Sequence, residues 1–190
     1  TADTLLVAVR TDESSRGADG VSLVVVDGFA RGVERRRLET MDMTRKQAEI
    51  GFADVRVPVS AVLGAGGTGW QAIEDTTTRA IVALAFEQVG GAQKCLDMSV
   101  EYAKVRVQFG RPIGSFQAIK HKCADMLVQV ESAKSAAYYA GWAVAEKDPE
   151  AAIVAPMAKS YCSEAYFHCA AENIQIHGGI GFTWEHDAHL

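Results

Sequence analysis

Apolar and polar positions change period once along this chain, near residue 65. Before that point the pattern is that of strands. LLVAV (5–9) and VSLVVV (21–26) are runs rich in β-branched residues, separated by the polar, glycine-bearing TDESSRGADG. Gly28–Leu38, Ala48–Phe52 and Val55–Val57 alternate apolar with polar, as half-buried strands do, and Pro58 ends the last of them. VLGAGGTG (62–69) predicts a turn-rich linker.

From Trp70 onward the pattern is helical. Val82, Val89, Leu96 and Ala103 recur every seven residues, with Ala85, Ala92 and Ser99 between them, which predicts one stripe of a long helix over 69–104. A second helix is predicted over 116–146, with Ile119, Met126, Val130, Ala133, Ala137, Gly141 and Val144 on one side. The Asp148-Pro149 step predicts the cap of a third, with proline at its first position. That helix carries Ile153, Met157, Tyr161, Ala165 and His168, should kink at Pro156, and ends at the glycines of HGGIG (177–181). A fourth is expected to begin near Trp184. Long helices joined by short loops imply an antiparallel bundle, and the small residues of GGAQ (90–93) and SAKSAAYYAGWA (132–143) permit close helix approach.

Composition narrows the function classes. The chain has 190 residues, 48% apolar and 23% charged, enough to bury a core. A formal net charge of -5 argues against nucleic acid as the main partner, and the basic run Arg31–Arg37 reads as a solvated face. No apolar run is long enough to span a membrane, and the first residues show no signal peptide, so a cytoplasmic setting is expected. Cys95, Cys123, Cys162 and Cys169 form no CxxC pair and read as buried free thiols.

Two stretches carry candidate chemistry. In RVQFGRPIGSFQ (106–117), Arg106 offers a planar fork suited to phosphate, and Gln108 and Gln117 can donate and accept together. Phe109 offers a flat apolar face, and Gly110 and Gly114 allow close backbone approach. The same residues also make an ordinary helix end, aromatic staple and turn. In IQIHGGIGFTWEHDAH (174–189), Gln175 precedes Gly178, Gly179 and Gly181, whose N–H groups suit a phosphate at a turn, helped by a following helix N-terminus. A helix C-cap explains those glycines equally. Zinc is not expected: His168, His177, His186 and His189, with Glu185 and Asp187, lack a ligand motif. No GxSxG or cysteine-nucleophile signature occurs.

RVQFGRPIGSFQAIKHKCADM and IQIHGGIGFTWEHD resemble the two signature regions of the FAD-dependent acyl-CoA dehydrogenase superfamily, and the second is similar in wording to actinobacterial members. The resemblance implies an α+β fold, mostly α overall. Residues 1–64 would be the latter half of a β-barrel-like middle domain ending in FADVRVPVSAVLG, and residues 65–190 an antiparallel four-helix-bundle domain. It implies that Arg106 reaches the FAD pyrophosphate across a subunit boundary, with Gln108 and Phe109 beside the adenosine and Gln117 toward the adenine. Gln175, Gly178 and Gly179 would cradle the neighbouring subunit's pyrophosphate. The implied reaction is α,β-desaturation of an acyl-CoA thioester in fatty acid or lipid metabolism: a glutamate removes the α-proton and the β-hydrogen leaves as hydride to flavin N5. The implied assembly is a homo- or hetero-oligomer, a dimer of dimers, with an electron-transferring flavoprotein as acceptor. An acyl-CoA oxidase using dioxygen fits the same residues.

One departure stands out. Anchored on Gly90 and Arg106, the family's early base position falls on Ala80, beside Arg79, and the alternative position lies past Leu190. Glu87, about two turns further along, reads as a helix-face contact, so no catalytic base is assigned. The alternative to a self-sufficient enzyme is a non-catalytic partner subunit that contributes FAD contacts to another chain.

Overall fold

The computed structural model describes residues 2–42 and 44–189, which form two compact units, Thr1–Thr76 and Thr77–Leu190. In the first, β1 (Thr4–Arg10) and β2 (Val21–Asp27) pair antiparallel from Thr4↔Asp27 to Arg10↔Val21. β1 alternates exposed and half-buried positions, whereas β2, the valine-rich central strand, is buried along most of its length. The connecting loop is tied by Arg10, whose guanidinium donates to Ser15 Oγ (2.8 Å) and to the carbonyls of Gly17 (2.9 Å) and Asp19 (2.6 Å).

β3 (Val33–Arg37) and β4 (Ala48–Phe52) form a separate antiparallel ribbon. The basic run lies on this exposed ribbon, where Arg36 pairs with Glu49 across the strands. Val55–Val57 is not a strand: its alternation falls in a segment between Asp54, at φ +50°, and Pro58, which has no N–H to give a ladder. The predicted linker instead supplies β5 (Val62–Leu63), which pairs with β2 through Leu23↔Leu63 and Val24↔Val62. Buried Ser22 accepts the Gly67 N–H at 2.7 Å and meets Thr11 Oγ1 at 2.8 Å, fixing the chain beyond β5. Both sheets are open, and no closed barrel forms among the described residues.

The second unit is built on three long helices: α1 (Gly69–Val105, its first turns belonging to the first unit), α2 (Gln117–Ala145) and α3 (Ala151–His177). Every member of the predicted α1 stripe is buried. On α2, Met126, Val130, Ala133 and Ala137 are fully buried. Of the residues expected along α3, Ala165 is buried but Ile153 and Met157 are 62% and 65% exposed, and the buried face is completed by Ala155, Ala158, Cys162, Cys169 and Ile176. Small side chains face α2, and the Cys162 thiol donates to the Ala133 carbonyl at 3.5 Å. The four thiols are free, two buried and two half-buried, and burial raises each, Cys169 to about 11.

Two helix ends differ from expectation. Asp148 Oδ1 accepts the Glu150 N–H at 2.8 Å, so Asp148-Pro149 makes an entry turn and the helix starts at Ala151. Pro156 sits inside α3 without ending it. Past α3 there is no fourth α-helix among the described residues; 3-10 turns cover Gly178–Phe182 and Asp187–His189. Three glycines within four positions keep the backbone from settling into a longer helix.

Candidate functional site

α1 does not simply stop at Val105. The Arg106 N–H still donates to the Tyr102 carbonyl (2.9 Å), and the Arg106 carbonyl accepts from Ile113 N–H (2.8 Å). Between these bonds the chain makes a hairpin, β6 (Val107–Gln108) with β7 (Arg111–Pro112), paired Gln108↔Arg111. Its two turn residues, Phe109 and Gly110, have φ +52° and +77°, the left-handed pair of a type I′ turn. Phenylalanine is costly there, by about 1–2 kcal/mol, yet the residue is 91% exposed. It meets only the edge of Phe116 among the ring contacts, at 6.1 Å, and Arg111 lies 4.2 Å over the same Phe116 ring. The hairpin thus holds an aromatic face out of the protein at a strained position, with Arg106, Gln108 and, at the first position of α2, Gln117 all exposed around it.

The glycine turn follows α3. Gln175 is exposed in the last helical turn. Gly178 has φ +65° and ψ -139°, open to glycine alone, and its N–H closes the helix onto the Ile174 and Gln175 carbonyls. Gly178 therefore supplies the turn rather than a free donor. A Cβ added at Gly178 or Gly179 would meet nothing within 4 Å, so the outer side of the turn is bare backbone facing open space. That suits a phosphate approaching the main chain. Gly181 differs: a Cβ there would lie 2.9 Å from the Ile174 carbonyl and 3.0 Å from His177 Cβ, so it serves packing. The expected following helix N-terminus is replaced by short 3-10 turns. The nearest helix end is the negative one of α3, so an anion here requires a cation from elsewhere.

The bundle brings the two stretches to one end. Tyr102, one turn before Arg106, stacks on His177, immediately before Gly178, with centroids 4.3 Å apart and planes at 28°. His186 covers His177 further out at 4.1 Å. His177 Nδ1 lies 2.8 Å from the Asn173 carbonyl, which only accepts, so Nδ1 carries the proton of the neutral ring. Behind the stack, Ser99 Oγ gives its one proton to the Cys95 carbonyl at 2.8 Å and lies 2.9 Å from the Asn173 side-chain amide, both residues being buried. Sequence reading did not pick out Tyr102 or Asn173. Their only signal was position: each lies one turn before a residue of a candidate motif.

Burial holds the His177 imidazole below its ordinary 6.5, with a smaller push from His186. The unfolded chain therefore binds the extra proton first as pH falls. His177 contributes stability above about pH 6.5 that is lost as pH drops through its lower folded value. Melting curves at about pH 7.5 and 5.5 should show this loss, and His177→Phe, which keeps a ring against Tyr102, should flatten it.

Other candidates are not gathered here. Ala80 and Glu87 lie exposed on α1, and Glu87 acts electrostatically on Tyr166, whose phenol is raised mainly by burial. No group of three metal-ligating side chains forms among the described residues; the His189 side chain lies outside them. No helix of the described residues is long and apolar enough to cross a membrane.

The acyl-CoA dehydrogenase C-terminal domain profile matches residues 67–190. Acyl-CoA dehydrogenase IpdE2 of Mycolicibacterium smegmatis is 41% identical over 174 residues, 91% of this chain and 49% of that protein. Butyryl-CoA dehydrogenase from Megasphaera elsdenii superposes with a TM-score of 0.92 at 32% identity, over 98% of this chain and 49% of that one. PigA, solved with FAD and proline, superposes with a TM-score of 0.91 at 28% identity, over 97% and 48%. The chain spans about half the length of the curated relatives it matches first.

Proposed function

Because the chain belongs to the acyl-CoA dehydrogenase family, we propose that the complete protein is an FAD-dependent enzyme that desaturates an acyl-CoA thioester between its α and β carbons. The observation that carries this reading is the Tyr102–His177 stack, which sets an exposed arginine–glutamine–aromatic hairpin and a bare glycine turn at one end of the bundle. Arg106 would hold the FAD pyrophosphate through its planar fork, offsetting the negative end of α3. Gln108 and Phe109 would lie beside the adenosine, with Gln117 toward the adenine. Gln175 and Gly179 would face the pyrophosphate from the turn that Gly178 makes possible. Bound FAD supplies the hydride acceptor. These residues bind and orient its ADP half, exclude water from it, and leave proton abstraction to a carboxylate that this chain does not place at Ala80.

The same proposal covers the assembly and setting. Residues 1–64 would be the latter half of a middle domain and 65–190 a bundle domain, in a cytoplasmic homo- or hetero-oligomer, a dimer of dimers in which the hairpin and turn serve a neighbouring subunit's cofactor. An electron-transferring flavoprotein would accept the electrons. Ala80 favours a second reading, a subunit that contributes FAD contacts to a different chain carrying the glutamate.

An absorbance spectrum of the complete protein, purified alone, before and after anaerobic addition of an acyl-CoA panel tests this. Flavin bands that bleach with one thioester are the expected result. Flavin that no acyl-CoA reduces would favour the partner-subunit reading, and a colourless protein with no affinity for added FAD would overturn both.

A further inference from the structure

We infer that Tyr102 and His177 are positioning residues: their stacked rings fix the distance between the cationic hairpin at the end of α1 and the glycine turn at the end of α3, so that the two act as one binding edge. This rests on the cofactor reading above. Each ring is carried by a residue joined through the main chain to a candidate contact. The Tyr102 carbonyl holds the Arg106 N–H at 2.9 Å, and His177 is joined directly to Gly178. The rings lie 4.3 Å apart and nearly parallel, and His186 closes the outer face of His177 at 4.1 Å. A slide of one helix end against the other would pull these rings apart.

A second rung lies behind it. Ser99 and Asn173 are three and four residues before Tyr102 and His177, hence on the same helix faces. They are 0% and 1% exposed and hydrogen-bonded at 2.9 Å. One polar atom of the Asn173 side-chain amide has no hydrogen-bond partner among the described residues. An apolar residue would avoid that cost, so the polar rung lowers stability while it fixes the register of the two helices. The reason a fixed spacing matters is electrostatic. The turn sits at the negative end of α3, so the attraction of Arg106 for an anion must outweigh that end, and it weakens as the separation grows.

The test is FAD titration onto the deflavinated complete protein, followed by flavin fluorescence. Tyr102→Leu should weaken FAD binding about tenfold, while Tyr102→Phe, which keeps the ring, should stay within about twofold. The decisive measurement is the cycle with Arg106→Ala. With no arginine left to position, adding Tyr102→Leu should cost little more, whereas a merely structural tyrosine would cost the same in either background. Equal losses in both backgrounds, or a lowered melting temperature with unchanged FAD affinity, overturn the positioning role. Arg106→Ala with unaltered FAD affinity overturns the cofactor reading itself and this inference with it. Should Tyr102→Leu not fold, Ser99→Ala carries the same cycle, with an expected loss of about threefold.

Discussion

Met126→Ala should destabilise the complete protein by about 2–5 kcal/mol, read as a lowered urea midpoint at unchanged slope. Met126 is 0% exposed and lies in the cluster formed with Leu96, Ile113, Val130, Cys169 and Ile176. Truncation removes the contacts of a flexible, space-filling side chain and leaves a cavity between helices that cannot close fully. The Met126 carbonyl also accepts the Cys169 thiol at 3.9 Å, which holds the backbone of α2 against α3 and limits its collapse into the space. Met157 is the control: at 65% exposed on α3, its alanine variant should stay within about 0.5 kcal/mol. Equal losses at the two methionines would show that the buried face of α3 has been assigned wrongly.

That contrast also marks where the sequence was readable. On α1 the residues Val82, Ala85, Val89, Ala92, Leu96, Ser99 and Ala103 keep one seven-residue repeat without a break, so its stripe named the buried face residue by residue. α3 is apolar nearly all round, so periodicity could not choose a face, and large residues such as Ile153 and Met157 drew attention from the small ones. The small ones won because α2 offers Ala133, Ala137 and Ala140 opposite them, and close approach needs little side chain on either helix. In the β part, β1, β2 and β4 were legible from β-branched and alternating runs. The false strand at Val55–Val57 had the right alternation but no partner edge, which local pattern does not encode.

The candidate site was legible as two motifs but not as one place. Arg106, Gln108, Phe109 and Gln117 stand out by residue type, as do Gln175 and the glycines. That the two stretches meet depends on Tyr102 against His177, a contact between residues far apart in the chain that no helical period predicts. Sequence likewise treats Gly178, Gly179 and Gly181 alike. Only the backbone separates a glycine needed for its φ, one needed for the space outside it, and one needed for packing.

Those three glycines give the second large effect. Gly179→Ala should leave stability within about 0.5 kcal/mol, because the new Cβ meets no atom within 4 Å and the backbone lies outside the left-handed region. FAD affinity should nevertheless fall by at least about 100-fold, or ~2.7 kcal/mol, since the methyl would occupy the space through which a pyrophosphate approaches the main chain. Gly181→Ala should do the reverse. Its Cβ would press on the Ile174 carbonyl and His177, lowering stability first and affinity only through the displaced turn. Gly178→Ala should lose both, because φ +65° with ψ -139° is closed to alanine and the turn must rebuild. Titration of FAD beside a melting curve for each variant separates the three roles. A Gly179→Ala protein that binds FAD as tightly as its parent would mean that the open face of the turn is not the cradle. The pyrophosphate would then have to be held by the hairpin alone, through Arg106.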